Sequence, residues 1–210
     1  QMCIRDRSSL LISVSAVVLM ICLGLPVGLI AGYFRGWADL TLMRIVDSML
    51  SFPVLVFALA IAAILEPNLR NTVIAIGIAF SPYLARVVRA ETLRVSALPF
   101  VEAARAVGSS HLRIIVTNIL PNIMGPVIVQ ATISIAFAIL TEAGLSFLGL
   151  GTQPPTPSWG LMIQSARSYL DVAPWTDFVP GMAIAFSVLG LNMLGDVLRD
   201  ALDPRLRIDR

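Results

Sequence analysis

Lysine is absent from this sequence of 210 residues, histidine occurs once and cysteine twice. Each shortage removes a class of function. A phosphate-binding loop of the G-x-x-x-x-G-K-[ST] type ends on a lysine, so this chain holds no nucleotide-hydrolysing loop of that kind. His111 alone cannot build a histidine metal site, and on a polar connector it is misplaced for a Ser-His pair working within a membrane. Cys3 and Cys22 offer no disulfide framework, because Cys22 lies inside an apolar run where a thiol packs as a small hydrophobe. Charge is scarce as well: 13% of the residues are Asp, Glu, Lys or Arg, against about 25% in soluble domains.

Apolar sequence takes the place of charge. Hydrophobic residues make up 57% of the chain and the mean hydropathy is +0.86. No charged side chain lies between Arg7 and Arg35, Asp47 and Glu66, Arg113 and Glu142, or Asp177 and Asp196. Runs of roughly 20 apolar residues match a hydrocarbon core of about 30 Å. A shorter run, 71–85, is extended by Arg70, Arg86 and Arg89, whose long side chains can reach the interface. The expectation is an all-α polytopic bundle with five spans, near 9–31, 44–65, 68–88, 122–145 and 178–196. The first run is too long for a signal peptide core of about 7–15 residues. Residues 1–8, "QMCIRDRS", read as a leader distinct from the apolar run after it.

All fifteen basic residues are Arg, and with five spans they fall mostly on one face. Arg35, Arg44, Arg86, Arg89, Arg94, Arg105, Arg113, Arg199, Arg205, Arg207 and Arg210 share it. Arg70 and Arg167 lie on the other, with Arg5 and Arg7. Positive residues stay in the cytoplasm, so the C-terminus is expected inside and the N-terminus outside. An N-terminus carried outward without a cleavable signal calls for a further span upstream.

Between the third and fourth spans lies "VEAARAVGSSHLRIIVTNILPN", residues 101–122. Ser96 is a candidate cap, Pro99 suits the first helical turn, and Glu102 sits at the positive end of the helix dipole. Gly108 ends that helix in the left-handed conformation. Ser109 or Ser110 caps a second helix, expected from His111 to Ile119 and stopping before Pro121. Phe100, Ala103, Ala104 and Val107 fall on one face. A helix of about two turns is unstable alone in water, so this face needs cover, from the bundle or from another protein.

This segment resembles the EAA loop of bacterial ABC-transporter permeases, matching at Glu102, Ala103, Ala104, Gly108, Leu120 and Pro121. Asn118 stands where the general pattern has Ile. "GLIAGYFRGWADLTLMRIVDSMLSFP", "SFLGLGTQPPTPSWG", "APW" with "FVPG", and "LNMLGDVLRDALDPRL" are similar to the C-type permease of dipeptide, oligopeptide and nickel importers. The likeness covers about 10–206. It implies a type I ABC importer permease domain over 9–206, a cytoplasmic coupling loop at about 89–121, an external loop at about 150–177 and a cytoplasmic tail at 207–210. Such permeases usually have six spans, one more than this chain shows.

The resemblance further implies that this chain has no enzymatic activity and binds no cofactor, ATP and Mg being held by two cytoplasmic ATPase subunits. Phe100, Glu102, Ala103, Ala104, Val107, Gly108, Leu120 and Pro121 would couple to those subunits. The other partners are a homologous second permease, membrane lipid in the bacterial or archaeal cytoplasmic membrane, and a periplasmic or surface solute-binding protein. Trp159, Gly160 and Trp175, in "PPTPSWG" and "APW", either meet that binding protein or fold as lids against the bundle.

Asp47 and Glu142 lie near span ends and read as structurally paired or capping. Asp196, Arg199, Asp200, Asp203 and Arg205 form an alternating-sign cluster, either a solvated helix end or an ATPase contact. A secondary transporter or channel would show inverted repeats, broken helices and midplane charges, and none is evident in the sequence. A lone cytoplasmic histidine argues against an intramembrane enzyme.

Overall fold

The computed structural model describes residues 2–202, and among them there are helices and connectors but no strand. Asp203, Arg205, Arg207 and Arg210 lie outside the described residues. Among the described residues, four helices are long and apolar enough to cross a membrane: Ser8–Phe34, Leu69–Ser96, His111–Phe147 and Trp175–Ala201. The first belongs to α1 (Met2–Phe34), which runs on through the residues read as a leader. α4 is Leu69–Ser96 and α9 is Trp175–Leu202.

The second span differs from the expected continuous helix. It consists of α2 (Gly36–Leu50) and α3 (Val54–Ile64), bent by 91° at the break between them. Pro53 is the cause. It carries no N–H and constrains Phe52 away from helical geometry, so α2 stops at Leu50 and α3 restarts after Pro53. The expectation that no helix is broken is thereby corrected. α1 passes into α2 through two successive left-handed residues, Arg35 at φ 53° and Gly36 at φ 57°.

α1 and α4 pack against each other most closely, and their sequence explains why. Gly24, Gly28 and Gly32 recur every fourth residue and present bare backbone to α4. A methyl group at Gly28 would come within 2.6 Å of both Ala85 O and Val88 Cβ, and one at Gly32 within 2.7 Å of Thr92 Cβ. Ile12, Met20, Ile76, Leu84 and Val88 fill the buried core beside this seam. Asp39 and Asp47 of α2 are taken up by arginines of α4. Arg89 Nη2 donates to Asp39 Oδ2 at 2.6 Å, and Arg86 donates to Asp47. Asp47 is thus structurally paired, as expected.

α5 (Pro99–Ala106) follows α4 after two connecting residues. The next helix does not stop before Pro121. α6 (His111–Arg113) widens into a π-helical stretch, Ile114–Ile119, and continues as α7 (Leu120–Phe147). A proline inside an α-helix leaves the carbonyl four residues back without a donor. Here the wide turn re-routes the ladder, with Leu120 N–H donating to Ile115 O. Thr117 Oγ1 donates to Arg113 O at 2.6 Å and Asn122 Nδ2 to Asn118 O at 2.7 Å, occupying carbonyls along the stretch. α8 (Trp159–Ala166) and a short 3₁₀ turn, Arg167–Tyr169, precede α9. α9 runs antiparallel to α7: Ile184 packs with Ile139, and Gly195 faces Thr132 and Ile133.

Candidate functional site

Two ends of the bundle carry polar chemistry. At one, the last turns of α1 and α4 meet α5, α6 and the arginines Arg35, Arg89, Arg94, Arg105 and Arg113. At the other, the start of α1 meets the end of α7, the connector 148–158 and α8.

At the arginine-rich end, α5 is short and amphipathic. Pro99 occupies its first turn and Glu102 is its only acid there, as the sequence predicts. The N-cap, however, is Leu98, without a side-chain bond, whereas Ser96 is the last residue of α4 and its buried hydroxyl has no partner. Gly108 takes φ +82° with open space around it, a conformation that costs other L-residues about 1–2 kcal/mol. Ser110 precedes α6 in extended geometry but makes no side-chain cap.

The helix divides its apolar residues between two directions, which corrects the single face expected. Val101 is 0% exposed and Ala104 packs against the core. Phe100 is 41% and Val107 86% exposed, and Glu102 and Ala103 also face outward. The periodicity identifies the amphipathic helix, but it misses Val101, because Phe100 and Val101 are adjacent and both apolar, and spacing alone does not say which of the two faces inward. Leu120 is half-buried against the core and Pro121 is exposed, both at the start of α7 and apart from α5's outward face.

His111 is exposed, yet its ring is held. The Tyr33 hydroxyl and His111 Nδ1 lie 2.9 Å apart, and the Arg105 guanidinium carbon sits 5.2 Å from the centre of the Tyr33 ring. Nothing in the spacing of residues 33, 105 and 111 announces this cluster.

At the other end, Glu142 is wholly buried near the end of α7. Its Oε1 accepts a bond from Ser146 Oγ at 2.8 Å. Thr152 Oγ1 lies 3.1 Å from Ser146 Oγ and donates to Ser158 Oγ at 3.0 Å. Thr152 N–H donates to Ser146 Oγ and Trp159 N–H to Ser9 Oγ, both at 3.2 Å. Four segments of chain therefore meet around one carboxylate. Ser158 also caps α8, accepting from Leu161 N–H at 3.3 Å.

That cap turns Trp159 inward, and it is 3% exposed among Ile139, Ala143 and Ile184. Gly160 is buried where a methyl group would fall 2.6 Å from Ala143 O. Both residues are thus buried against the bundle in this conformation. Trp175 is 64% exposed. Together with Tyr169, Met162, Val179 and the prolines of 154–157 it lines an open, mostly apolar cavity of about 500 Å³.

A family model described as "Binding-protein-dependent transport system inner membrane component" matches residues 24–208. The di/tripeptide transport system permease protein DppC of Pseudomonas aeruginosa is 49% identical over 96% of this chain and 66% of its own length. The dipeptide transport system permease protein DppC of Alkalihalophilus pseudofirmus is 47% identical over the same shares. A glutathione transport system permease protein, GsiD of Pectobacterium atrosepticum, is 42% identical over 96% of this chain and 67% of its own. This chain thus spans about two thirds of the length of these relatives. Among solved structures, the MetNI methionine ABC transporter in an inward-facing conformation superposes with a TM-score of 0.77 at 18% identity, over 95% of this chain and 94% of that one. An amino acid ABC transporter gives 0.65 at 20% identity, over 92% and 90%. At such identities the likeness concerns the fold, and the fold is that of an importer permease.

Proposed function

The chain belongs to the family of binding-protein-dependent transport system inner membrane components, and from that premise we propose that it is a permease subunit of an ATP-driven importer of short peptides or a related small solute. The sequence relatives support the substrate class, since those named above are di- and tripeptide, dipeptide and glutathione permeases. A homologous second permease would complete the membrane path. ATP and Mg belong to two ATPase subunits on the arginine-rich side, which is cytoplasmic and receives the C-terminus. A solute-binding protein would deliver cargo to the opposite face, where the cavity beside Trp175 and Tyr169 offers an apolar seat.

The observation that carries this reading is the outward side of α5. Val101 fastens the helix to the core while Phe100, Glu102, Ala103 and Val107 face outward with nothing over them among the described residues. An exposed apolar ridge flanked by a charge, on a helix too short to stand alone, is a docking element. Seated in a groove of the ATPase, it transfers the closure of the ATPase pair to the bundle and alternates access between the two faces. The test is peptide uptake into proteoliposomes carrying the whole transporter. Uptake should require ATP on the side of the ATPase subunits, and Val107→Asp should release the ATPase and abolish it. Glu102→Ala that leaves both assembly and uptake at wild-type levels would sink the coupling assignment.

The alternative, a secondary transporter or channel working without ATPase, finds no support among the relatives, and the 91° break between α2 and α3 does not by itself argue for it. That reading requires uptake by the permeases alone, in vesicles without ATPase subunits.

A further inference from the structure

Building on the docking role proposed for α5, we propose that Tyr33 is a positioning residue: it locks the α5–α6 hairpin to the paired helices α1 and α4, so that force on α5 moves that pair as one body. α5 joins α4 through Ala97 and Leu98 alone, and Val101 is its one fully buried residue. A helix held by one short linker, one buried apolar peg and the half-buried Ala104 beside it can still swivel about that line. A second fixed point converts a push on α5 into displacement of the bundle.

Tyr33 supplies that point on both sides of the Gly108 turn. Its hydroxyl reaches His111 at the start of α6, and its ring lies beneath Arg105 near the end of α5. Phe34 packs edge-on to Tyr33 at 5.1 Å and lies 5.9 Å from the His111 ring. Tyr33 itself is 6% exposed and follows Gly32, where α1 touches α4 through bare backbone. The cluster therefore runs unbroken from the α1–α4 seam to both arms of the hairpin. Hydroxyl and ring act on different arms, which makes their contributions separable: Tyr33→Phe frees α6 only, whereas Tyr33→Leu frees α5 as well.

The experiment measures solute uptake and ATP hydrolysis on the same proteoliposomes containing the whole transporter, expressed as solute moved per ATP. Tyr33→Leu and Arg105→Gln should keep their ATPase subunits on co-purification, while the ratio falls about fivefold in Tyr33→Leu, where a neutral hydrogen bond and a cation–π contact are lost together, and by less in Arg105→Gln, where only the cation–π contact goes. Tyr33→Phe should fall by less, and Arg105→Lys should restore the ratio because a cation again stands over the ring. A purely structural defect lowers uptake and hydrolysis in step and leaves the ratio unchanged, and that result for Tyr33→Leu overturns the proposal. Should Tyr33→Leu fail to assemble, Tyr33→Phe and His111→Ala decide, since neither empties the buried ring site; wild-type ratios in both overturn it equally. Full ATPase retention by Val107→Asp would instead overturn the docking reading on which this one stands, a failure visible without any Tyr33 variant.

Discussion

Ser146 donates its hydroxyl to Glu142 Oε1 across 2.8 Å, one turn further along α7, and both side chains are completely buried. A carboxylate in a membrane-spanning bundle is costly unless donors surround it. Thr152 Oγ1 lies 3.5 Å from the same oxygen, while Oε2 has no partner. Because those hydroxyls come from α7 and from the connector beyond it, one side chain ties the end of the helix to the strap that leads into α8.

Glu142→Ala should accordingly be among the most destabilising single changes in this chain. It leaves buried hydroxyls without their acceptor, at about 1–3 kcal/mol for each unsatisfied group, and opens a cavity. Glu142→Gln keeps an acceptor at Oε1 and should cost less. Thermal unfolding of the purified permease, followed by tryptophan fluorescence, ranks the two; equal midpoints for Glu142→Ala and wild type would refute the tie.

Val101 and Phe100 should separate folding from docking. Val101→Asp places a charge in a site that is 0% exposed and should detach α5, lowering both stability and ATPase binding. Phe100→Ala, on the exposed side, should leave stability within about 0.5 kcal/mol of wild type. It should still weaken ATPase co-purification by about tenfold, the usual effect of truncating an aromatic anchor. A melting shift for Phe100→Ala as large as that for Val101→Asp would contradict the division of faces.

Gly28 and Gly108 should fail for different reasons when replaced by alanine. At Gly28 the new methyl meets Ala85 O and Val88 Cβ at 2.6 Å, so α1 and α4 must separate, at about 1–3 kcal/mol for overpacking. At Gly108 the space is open but φ is +82°, and the cost is backbone strain of about 1–2 kcal/mol. Disulfide trapping between cysteines placed across the α1–α4 seam should slow in Gly28→Ala and stay unchanged in Gly108→Ala.

Asp39 and Arg89 should couple more strongly than an ordinary surface pair. Their side chains are 19% and 32% exposed and joined by a two-pronged contact. A double-mutant cycle with Asp39→Asn and Arg89→Gln should give a coupling of about 1 kcal/mol or more. The exposed pair Arg86 and Asp47 should give less, and the reverse order would count against burial as the cause.

The order of the spans, the membrane setting and the helical turn around Gly108 were legible because each rests on local signals, although the second helix runs on through Pro121. Apolar run length, the punctuation of Pro99 and Gly108, and the one-sided distribution of arginine are properties of neighbouring residues. Pro53 was legible too, but only as a residue; whether a proline kinks a span or breaks it depends on what catches the freed backbone groups. At Pro121 a π-helical turn absorbs them and the helix continues, whereas at Pro53 the chain turns by 91°.

A multi-span helical permease with an amphipathic hairpin is therefore written into the local sequence, since hydrophobic length and helix punctuation act over a few residues. Which side of that hairpin stays free is settled by packing, because Val101 and Phe100 are adjacent and both apolar, and the fit against the rest of the bundle alone chooses between them. The same holds for Glu142 with Thr152 and for Tyr33 with His111. Those pairs join parts of the chain that come together only when the bundle closes, and no spacing rule reaches across it.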